Sequence, residues 1–506
     1  MPAAATLGPV AALVLLCGCA VGPDYERPVA TAIPQAYAGE TGVWKIARPQ
    51  AQLPKGNWWE VFGDPQLNTL EADASASNQQ LKVAVQQFAE ARAALAFTRG
   101  GLYPDLALSG LYTRQHTSPN SPLSTTGLPL GQSSTYNNFA VPLDLSYEFD
   151  LWGRVRRSIE SAQAQAQASS DDLEAVKLAI QAEVASDYFN LRTLDSELAV
   201  LRSSVDVFSK SYGLTVDRRA GGVATDLEVA QAATVLKTTQ AQLPEVALAR
   251  AQFQHALAVL IGRTASQFSI PENASVSAPP TIPAGLPSEL LERRPDISAV
   301  ERRMAAANAN VGVAKAAFFP SFQLTGLAGL DSATTRNFLS SSSSLWALGP
   351  SVTLPLFEGG KLRAGLDFAT STYIELVASY RQTVLTAYSE VEDGLSAQSL
   401  LSNQYDAERD ALLAARKQLE LANNRYRDGL VTYLEVATAE STELNIEFST
   451  VQIRGQQLVA AVNLVKALGG GWKDPLQGRQ RNGPSSVGQL SSDGSRHLPL
   501  SQGDKT

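Results

Sequence analysis

Few residues in this 506-residue chain are of a type that performs chemistry, and their placement gives them little chance to cooperate. The three histidines, His116, His255 and His497, stand far apart in unrelated contexts, so a shared metal or acid–base site is not expected. The two cysteines, Cys17 and Cys19, lie together behind the apolar stretch Leu7 to Leu16, and no later cysteine exists to pair with them. Two carboxylates stand out by context. Arg218-Arg-Ala-Gly-Gly222-Val-Ala-Thr225-Asp-Leu-Glu228 returns as Arg425-Tyr-Arg-Asp-Gly429-Leu-Val-Thr432-Tyr-Leu-Glu435, 207 residues later at every matched position (435 − 228). In a T-x-x-E box the threonine caps a new helix and the glutamate reaches back to the threonine N–H. The same carboxylates, ringed around an aperture, would attract cations and repel one another. The spacing satisfies the first role without requiring the second, and both stay open. No Ser/His/Asp, Cys/His or phosphate-loop pattern is present, so the chain does not read as an enzyme, and neither cofactor nor metal is expected.

Long helical patterns must hold these turns. Leu173, Val176, Ile180, Val184, Tyr188, Leu191, Leu194, Leu198, Leu201, Val205, Phe208 and Tyr212 step by three or four, the sustained stripe of a coiled helix. A helix from about Arg154 to Arg219 would be ~100 Å long, and its return from about Thr225 to Ile261 roughly half that. Pro244 is expected to kink the return helix. The second half repeats the pair, from about Lys361 to Asp428 and from Thr432 to Leu468. Gly222 and Gly429 suit the αL stop of each outgoing helix. Upstream, Asp64-Pro65 opens one helix expected from about Gln66 to Thr98. Tyr103-Pro104 and Phe319-Pro320 each close a helix. There the offset is 216 (320 − 104), so the first half holds nine more residues (216 − 207) before its long helix.

After each proline the apolar period changes to two. Phe139, Val141, Leu143, Leu145, Tyr147 and Phe149 alternate with a face carrying Asp144, Glu148 and Asp150, over about the length that crosses a bilayer at a tilt. Trp346 to Leu356 alternates likewise, with Leu106 to Tyr112 and Phe322 to Leu330 as partners. A soluble meander with one wet face is the other reading. Four strands cannot close a barrel, for which about eight is the smallest common number. If they span a membrane, copies of the chain must pool them, because lipid does not tolerate open edges. Outside the N-terminus no apolar run approaches the ~20 residues of a spanning helix. The net charge of −8 carries no nucleic-acid footprint.

Leu16-Cys17-Gly18-Cys19 resembles the lipobox of bacterial lipoproteins, although Met1 to Gly18 lacks the usual basic residue. That resemblance implies a palmitate-bearing Cys19 at the mature N-terminus, and Ala20 after it implies the outer membrane. Further stretches are Gly22-Pro-Asp-Tyr-Glu-Arg-Pro28, Trp58-Trp59, Phe149-Asp-Leu-Trp-Gly-Arg-Val155, Leu290-Leu-Glu-Arg-Arg-Pro-Asp-Ile297, Phe318-Phe-Pro-Ser321 and Pro355-Leu-Phe-Glu-Gly-Gly-Lys361. With these the chain resembles the TolC superfamily of outer-membrane efflux channels, in the lipoprotein branch serving RND multidrug pumps, over about Cys19 to Trp472.

The resemblance implies a mainly α protomer with two repeats of a long coiled helical hairpin plus a β-hairpin. It implies a homotrimer whose twelve pooled strands form a membrane β-barrel continuous with a periplasmic α-barrel. A periplasmic adaptor and an inner-membrane RND transporter would complete a passive exit route for drugs or other small molecules, contributing to antibiotic resistance. The segments expected are a signal peptide at 1–18, a lipidated extended segment at 19–60, and a first repeat at 61–270 with its strand hairpin at 104–150. A second repeat follows at 287–472, with its hairpin at 320–357, and a polar tail at 473–506 reads as disordered. By the same resemblance Glu228 and Glu435 match an acidic ring at the periplasmic mouth and Tyr426 a gate tyrosine. Leu434 would be an apolar constriction or core, and the tips at Gly222, Thr225, Gly429 and Thr432 would dock the adaptor. Thr438 and Ser441 stand where some relatives carry charge, so an ionic lock there is not expected. A type I protein-secretion duct shares this fold; a lipid-anchored periplasmic coiled-coil scaffold without a pore is the alternative of another class.

Overall fold

Element boundaries fall where the sequence supplies a cap, a proline or an αL glycine. The computed structural model describes residues 20–28, 56–119, 133–275, 277–280, 282 and 293–470; the expected signal peptide, Cys19 and the polar tail lie outside them. Asp64 caps helix α1 (Pro65–Ser77), accepting from Gln66 N at 2.9 Å and Leu67 N at 3.2 Å. The single helix expected from about Gln66 to Thr98 is in fact two. Asn78 leaves helical geometry, accepts the Leu81 N–H at 2.9 Å and starts α2 (Gln79–Gly100). An asparagine side chain offers the backbone an alternative to the helix ladder, and apolar periodicity does not register that competition.

The long helices are α3 (Arg154–Ala220) and α4 (Asp226–Leu260) in the first repeat. In the second they are α6 (Lys361–Arg427) and α7 (Tyr433–Ala467), preceded by α5 (Pro295–Ala316). The repeat is strict. α3 and α6 both have 67 residues, α4 and α7 both have 35, and their starts differ by 207 (361 − 154, 433 − 226). α2 and α5 both have 22 residues and differ by 216 (295 − 79). The nine-residue difference therefore falls among the strands. α4 continues as one helix through Pro244.

Those strands are β1 (Asp105–Leu108), β2 (Leu111–His116), β3 (Thr135–Phe149), β4 (Ser321–Ser332) and β5 (Ser344–Thr353). They form one antiparallel sheet in the order β1–β3–β4–β5, with β2 on the same side of β3 as β1. Expected as one strand, β1 and β2 are interrupted at Ser109-Gly110. The cause is Pro142 opposite. Its carbonyl accepts the Ser109 N–H at 3.1 Å, so its absent N–H faces the same neighbour and one ladder bond cannot form. Gly329 lies opposite Pro142, where an added Cβ would come within 2.3 Å of the Val141 carbonyl oxygen.

Register decides which faces coincide. Leu143 is opposite Leu108 and Ala328, and Ala328 is opposite Trp346; Leu145 is opposite Leu106 and Gly326, and Gly326 is opposite Leu348. Directly opposed residues share a face, so most of the large apolar side chains of the strands form one surface, while Leu111, Leu327 and Leu345 lie on its reverse. Asp144, Ser146, Glu148, Gln323 and Ser351 fall on the other. Trp346 is 80% exposed in the protomer and Leu108 72%, so the apolar face is uncovered.

The helices pack in two tiers along α3 and α6. Near the sheet, α5 lies between them, through Ala164, Ala305 and Ala306 on one side and Ile297, Met304, Tyr380 and Val384 on the other. Farther away α7 takes that place, with Tyr433 and Val436 packed beside Ala422, Tyr426 and Ala232. The tiers meet end to end. Asn78 donates its amide N–H to the last carbonyl of α4, Leu260 O, at 2.8 Å. At the equivalent place Arg294 donates to the last carbonyl of α7, Ala467 O, at 3.1 Å. Each clasp satisfies a helix-terminal carbonyl that has no intrahelical partner. The largest core, including Trp58, Phe62, Leu67, Tyr188, Leu257, Leu458 and Val465, lies at this level.

Candidate functional site

The repeated turns close the ends of the α3–α4 and α6–α7 hairpins. At each, the expected glycine takes the αL conformation, φ 73° at Gly222 and 74° at Gly429. The Val223 N–H reaches Arg218 O and the Leu430 N–H reaches Arg425 O, both at 2.9 Å, so both outgoing helices stop in the same Schellman geometry.

The helix starts differ. Thr225 and Glu228 complete the expected box: Thr225 N donates to Glu228 Oε2 at 2.7 Å, and Glu228 N donates to Thr225 Oγ1 at 3.3 Å. The second box does not form, since the Thr432 side chain makes no capping bond. The cap of α7 comes from the other repeat. Tyr433 N, in the first turn of α7, donates to Glu228 Oε1 at 3.2 Å. One carboxylate thus caps two helices. Relieved of capping, Glu435 is exposed and pairs with Arg425 Nη1 at 3.4 Å. The equivalent Arg218 crosses instead to the second hairpin, its guanidinium 4.6 Å from the Tyr426 ring centre and its Nη1 donating to Arg427 O at 3.4 Å. The Thr225 N–H foremost holds the Glu228 carboxyl below the ordinary range, assisted by the Tyr433 N–H and Arg218 against partial desolvation.

Tyr426 is buried within the protomer, edge-on to Tyr433 with ring centres 5.5 Å apart. Tyr433 is completely buried, donates its hydroxyl proton to Glu440 Oε2 at 2.8 Å and lies 3.3 Å from Ser211 Oγ. Burial pushes the Glu440 carboxyl up. This network fixes α7 against α3, and sequence reasoning passed over it. Superposing the repeats would have flagged it: Tyr433 and Glu440, two helical turns apart, replace Asp226 and Ala233. The same superposition pairs Val223 with Leu430 and Leu227 with Leu434. All four are exposed, so Leu434 belongs to an apolar tip surface rather than to the protomer's core.

Two carboxylates assigned to the polar strand face act where β3 runs out into α3. Asp150 caps α3, accepting from Val155 N at 3.1 Å and Arg156 N at 2.9 Å, and Glu148 pairs with Arg154. Among the described residues no cluster of three or more His, Cys, Asp or Glu could hold a metal ion, and no helix is long and apolar enough to cross a membrane.

The sequence profile of the family described as "Outer membrane efflux protein" matches residues 70–263 and 286–470. The chain is 34% identical over 475 residues to the antibiotic efflux pump outer membrane protein ArpC of Pseudomonas putida, covering 94% of this chain and 96% of ArpC. It is 30% identical over 470 residues to the cation efflux system protein CusC of Escherichia coli, covering 92% and 98%. Its fold is similar to the open state of the Neisseria gonorrhoeae MtrE outer membrane channel, with a TM-score of 0.76 at 31% identity over 90% of this chain and 99% of that one.

Proposed function

Because this chain belongs to the outer membrane efflux protein family, we infer that its place as an efflux channel of the Gram-negative outer membrane is that of a passive exit duct. On this reading the duct serves a tripartite pump whose energised member is an inner-membrane RND transporter. The observation that carries it is the shared apolar face of the four strand ribbons, with polar residues opposite and both sheet edges open among the described residues. In lipid such edges must be paired by further copies. Two copies would pool eight ribbons, whose interior side chains fill the barrel. Three copies pool twelve and leave a lumen, so the homotrimer is the assembly that conducts. No reaction or cofactor is required of it.

The hairpin tips then form the periplasmic mouth. Glu228 holds the two tips of one protomer together, Glu435 presents its charge to the aperture, and Tyr426 anchors the closed arrangement from within. Val223, Leu227, Leu430 and Leu434 give a periplasmic adaptor an apolar surface around Gly222, Thr225, Gly429 and Thr432. ArpC is named for antibiotics and CusC for cations; one duct design therefore serves different cargo, and the pump selects it. Cys19, as an acylated mature N-terminus, would anchor each protomer. Reconstitution in planar bilayers tests the duct: steps of conductance that grow when Glu228 is replaced by Ala are expected. A protein that stays silent in both forms would overturn the reading in favour of a scaffold.

A further inference from the structure

We propose that a groove at the junction of sheet and helices seats an acyl chain carried by Cys19. This rests on the acylation of Cys19 proposed above. The described chain begins as a strap laid along α5. Tyr25 donates its hydroxyl proton to Glu301 Oε1 at 3.2 Å, and Asn308 donates its amide N–H to Pro23 O at 3.0 Å. Gly22 lies against Gly312 so closely that a Cβ on Gly22 would come within 2.5 Å of the Gly312 Cα. Positions 25, 23 and 22 thus meet 301, 308 and 312 in order, and the strap runs antiparallel to α5, toward that helix's C-terminal end. Val21 N pins it there by donating to Trp152 O at 2.9 Å. Ala20 packs on Gly153, where an added Cβ would lie 2.9 Å from the Ala20 Cβ. Cys19 is one residue, about 3.8 Å of chain, farther back.

The end of α5 that the strap approaches is a wall of the groove. Its volume is about 360 Å³, and its apolar walls are Phe149, Leu151, Trp152, Ala317, Phe319 and Leu362. Trp152 stacks on Phe319 with ring centres 4.8 Å apart and donates its indole N–H to Pro320 O at 2.8 Å, so that wall is held rigid. Five charged residues, Glu148, Asp150, Arg154, Glu358 and Lys361, also border it. This is the level at which β3 ends and β4 begins, where membrane strands carry their aromatic girdle. The occupant follows from the tether. An acyl chain tethered just before Ala20, which packs on Gly153 beside the groove residue Trp152, would have an effective concentration there that no free lipid shares.

The test is to grow cells on a diazirine analogue of palmitate, irradiate intact membranes and map crosslinks in the full-length protein by mass spectrometry. The mass of the N-terminal peptide is read first; an unacylated Cys19 would overturn the lipidation reading and this one with it. With acylation present, the expected product joins the Cys19 peptide to the peptide holding Leu151 and Trp152, or to that holding Ala317 and Phe319. Its yield should fall several-fold in Ala317→Trp, which narrows the groove; the wild-type map decides the matter even if that variant folds poorly. Groove peptides carrying only free phospholipid, or joined to another copy's surface, or a Cys19 acyl group linked only elsewhere, would overturn the groove while leaving the lipidation reading intact.

Discussion

Glu228 places its two carboxylate oxygens on different helices, one on Thr225 and one on Tyr433. Removing it leaves α7 without a side-chain cap and reduces the box of α4 to the Thr225 hydroxyl, which still accepts the N–H of residue 228. Glu228→Ala should therefore weaken the tips by about 1–2 kcal/mol and raise open-channel conductance in planar bilayers. Glu435→Ala, which loses one exposed ion pair, should cost under about 1 kcal/mol and change conductance less. The pH dependence follows from the depressed carboxyl of Glu228. The folded form binds its proton less readily, so the contribution is whole above the unfolded value of about 4.3 and is lost as pH falls through the lower folded value. Conductance should stay flat from neutral pH to about 5 and rise only below about 4. Glu71 has the opposite sign. It is fully buried in α1, neither oxygen has a hydrogen-bond partner among the described residues, and burial pushes its carboxyl up to about 9. The fold binds this proton more tightly than the unfolded chain does. Stability is whole below about 4.3 and declines as pH rises toward 9. Glu71→Gln should flatten that slope and stabilise the protein at pH 8 by on the order of a few kcal/mol, read by circular-dichroism melting at pH 5 and pH 8.

At the scale of elements, the end-to-end clasps decide whether a short helix continues the line of its neighbour. Asn78 both caps α2 and reaches Leu260 O, and Arg294 reaches Ala467 O while pairing with Asp296 and Glu390. Asn78→Ala should lower stability by about 2 kcal/mol, one cap and one buried hydrogen bond. Arg294→Ala should cost at least as much, since charge-assisted bonds contribute about 1.5–3 kcal/mol. Both would show as a lower melting midpoint with unchanged single-channel conductance in the folded fraction, because the clasps lie at the far end of the hairpins from the tips. The Leu290 to Ile297 stretch marked the family in the sequence. Its structural reason is visible in Arg294, which joins α5, α6 and α7 at one point.

For the whole molecule, the coincidence of apolar strand faces is the feature that distinguishes a membrane duct from a rod. Leu143 lies on that face and Asp144 on its reverse. Leu143→Arg should cost about 2–4 kcal/mol if it meets the bilayer midplane and sharply reduce assembled protein in outer-membrane fractions. Asp144→Asn should leave assembly intact and shift ion selectivity instead. Native mass spectrometry of detergent-extracted protein is expected to give a trimer in the wild type and predominantly monomer in Leu143→Arg.

The sequence by itself determined the repeat, the lengths of the long helices and the glycine stops. Those features are written in local signals: apolar steps of three and four, αL glycines, and prolines that end helices. Alternation likewise placed the strands and their two faces. Tertiary structure alone decided that Pro142 divides the neighbouring strand, because it acts through a partner distant in the chain, and that Asn78, whose helix break is local, also clasps the end of α4. It also decided which glutamate caps which helix. Two T-x-x-E boxes look equivalent in sequence, but when the hairpins pack side by side one carboxylate can reach both helix starts. Glu228 does so, and Glu435 is thereby left free to face solvent.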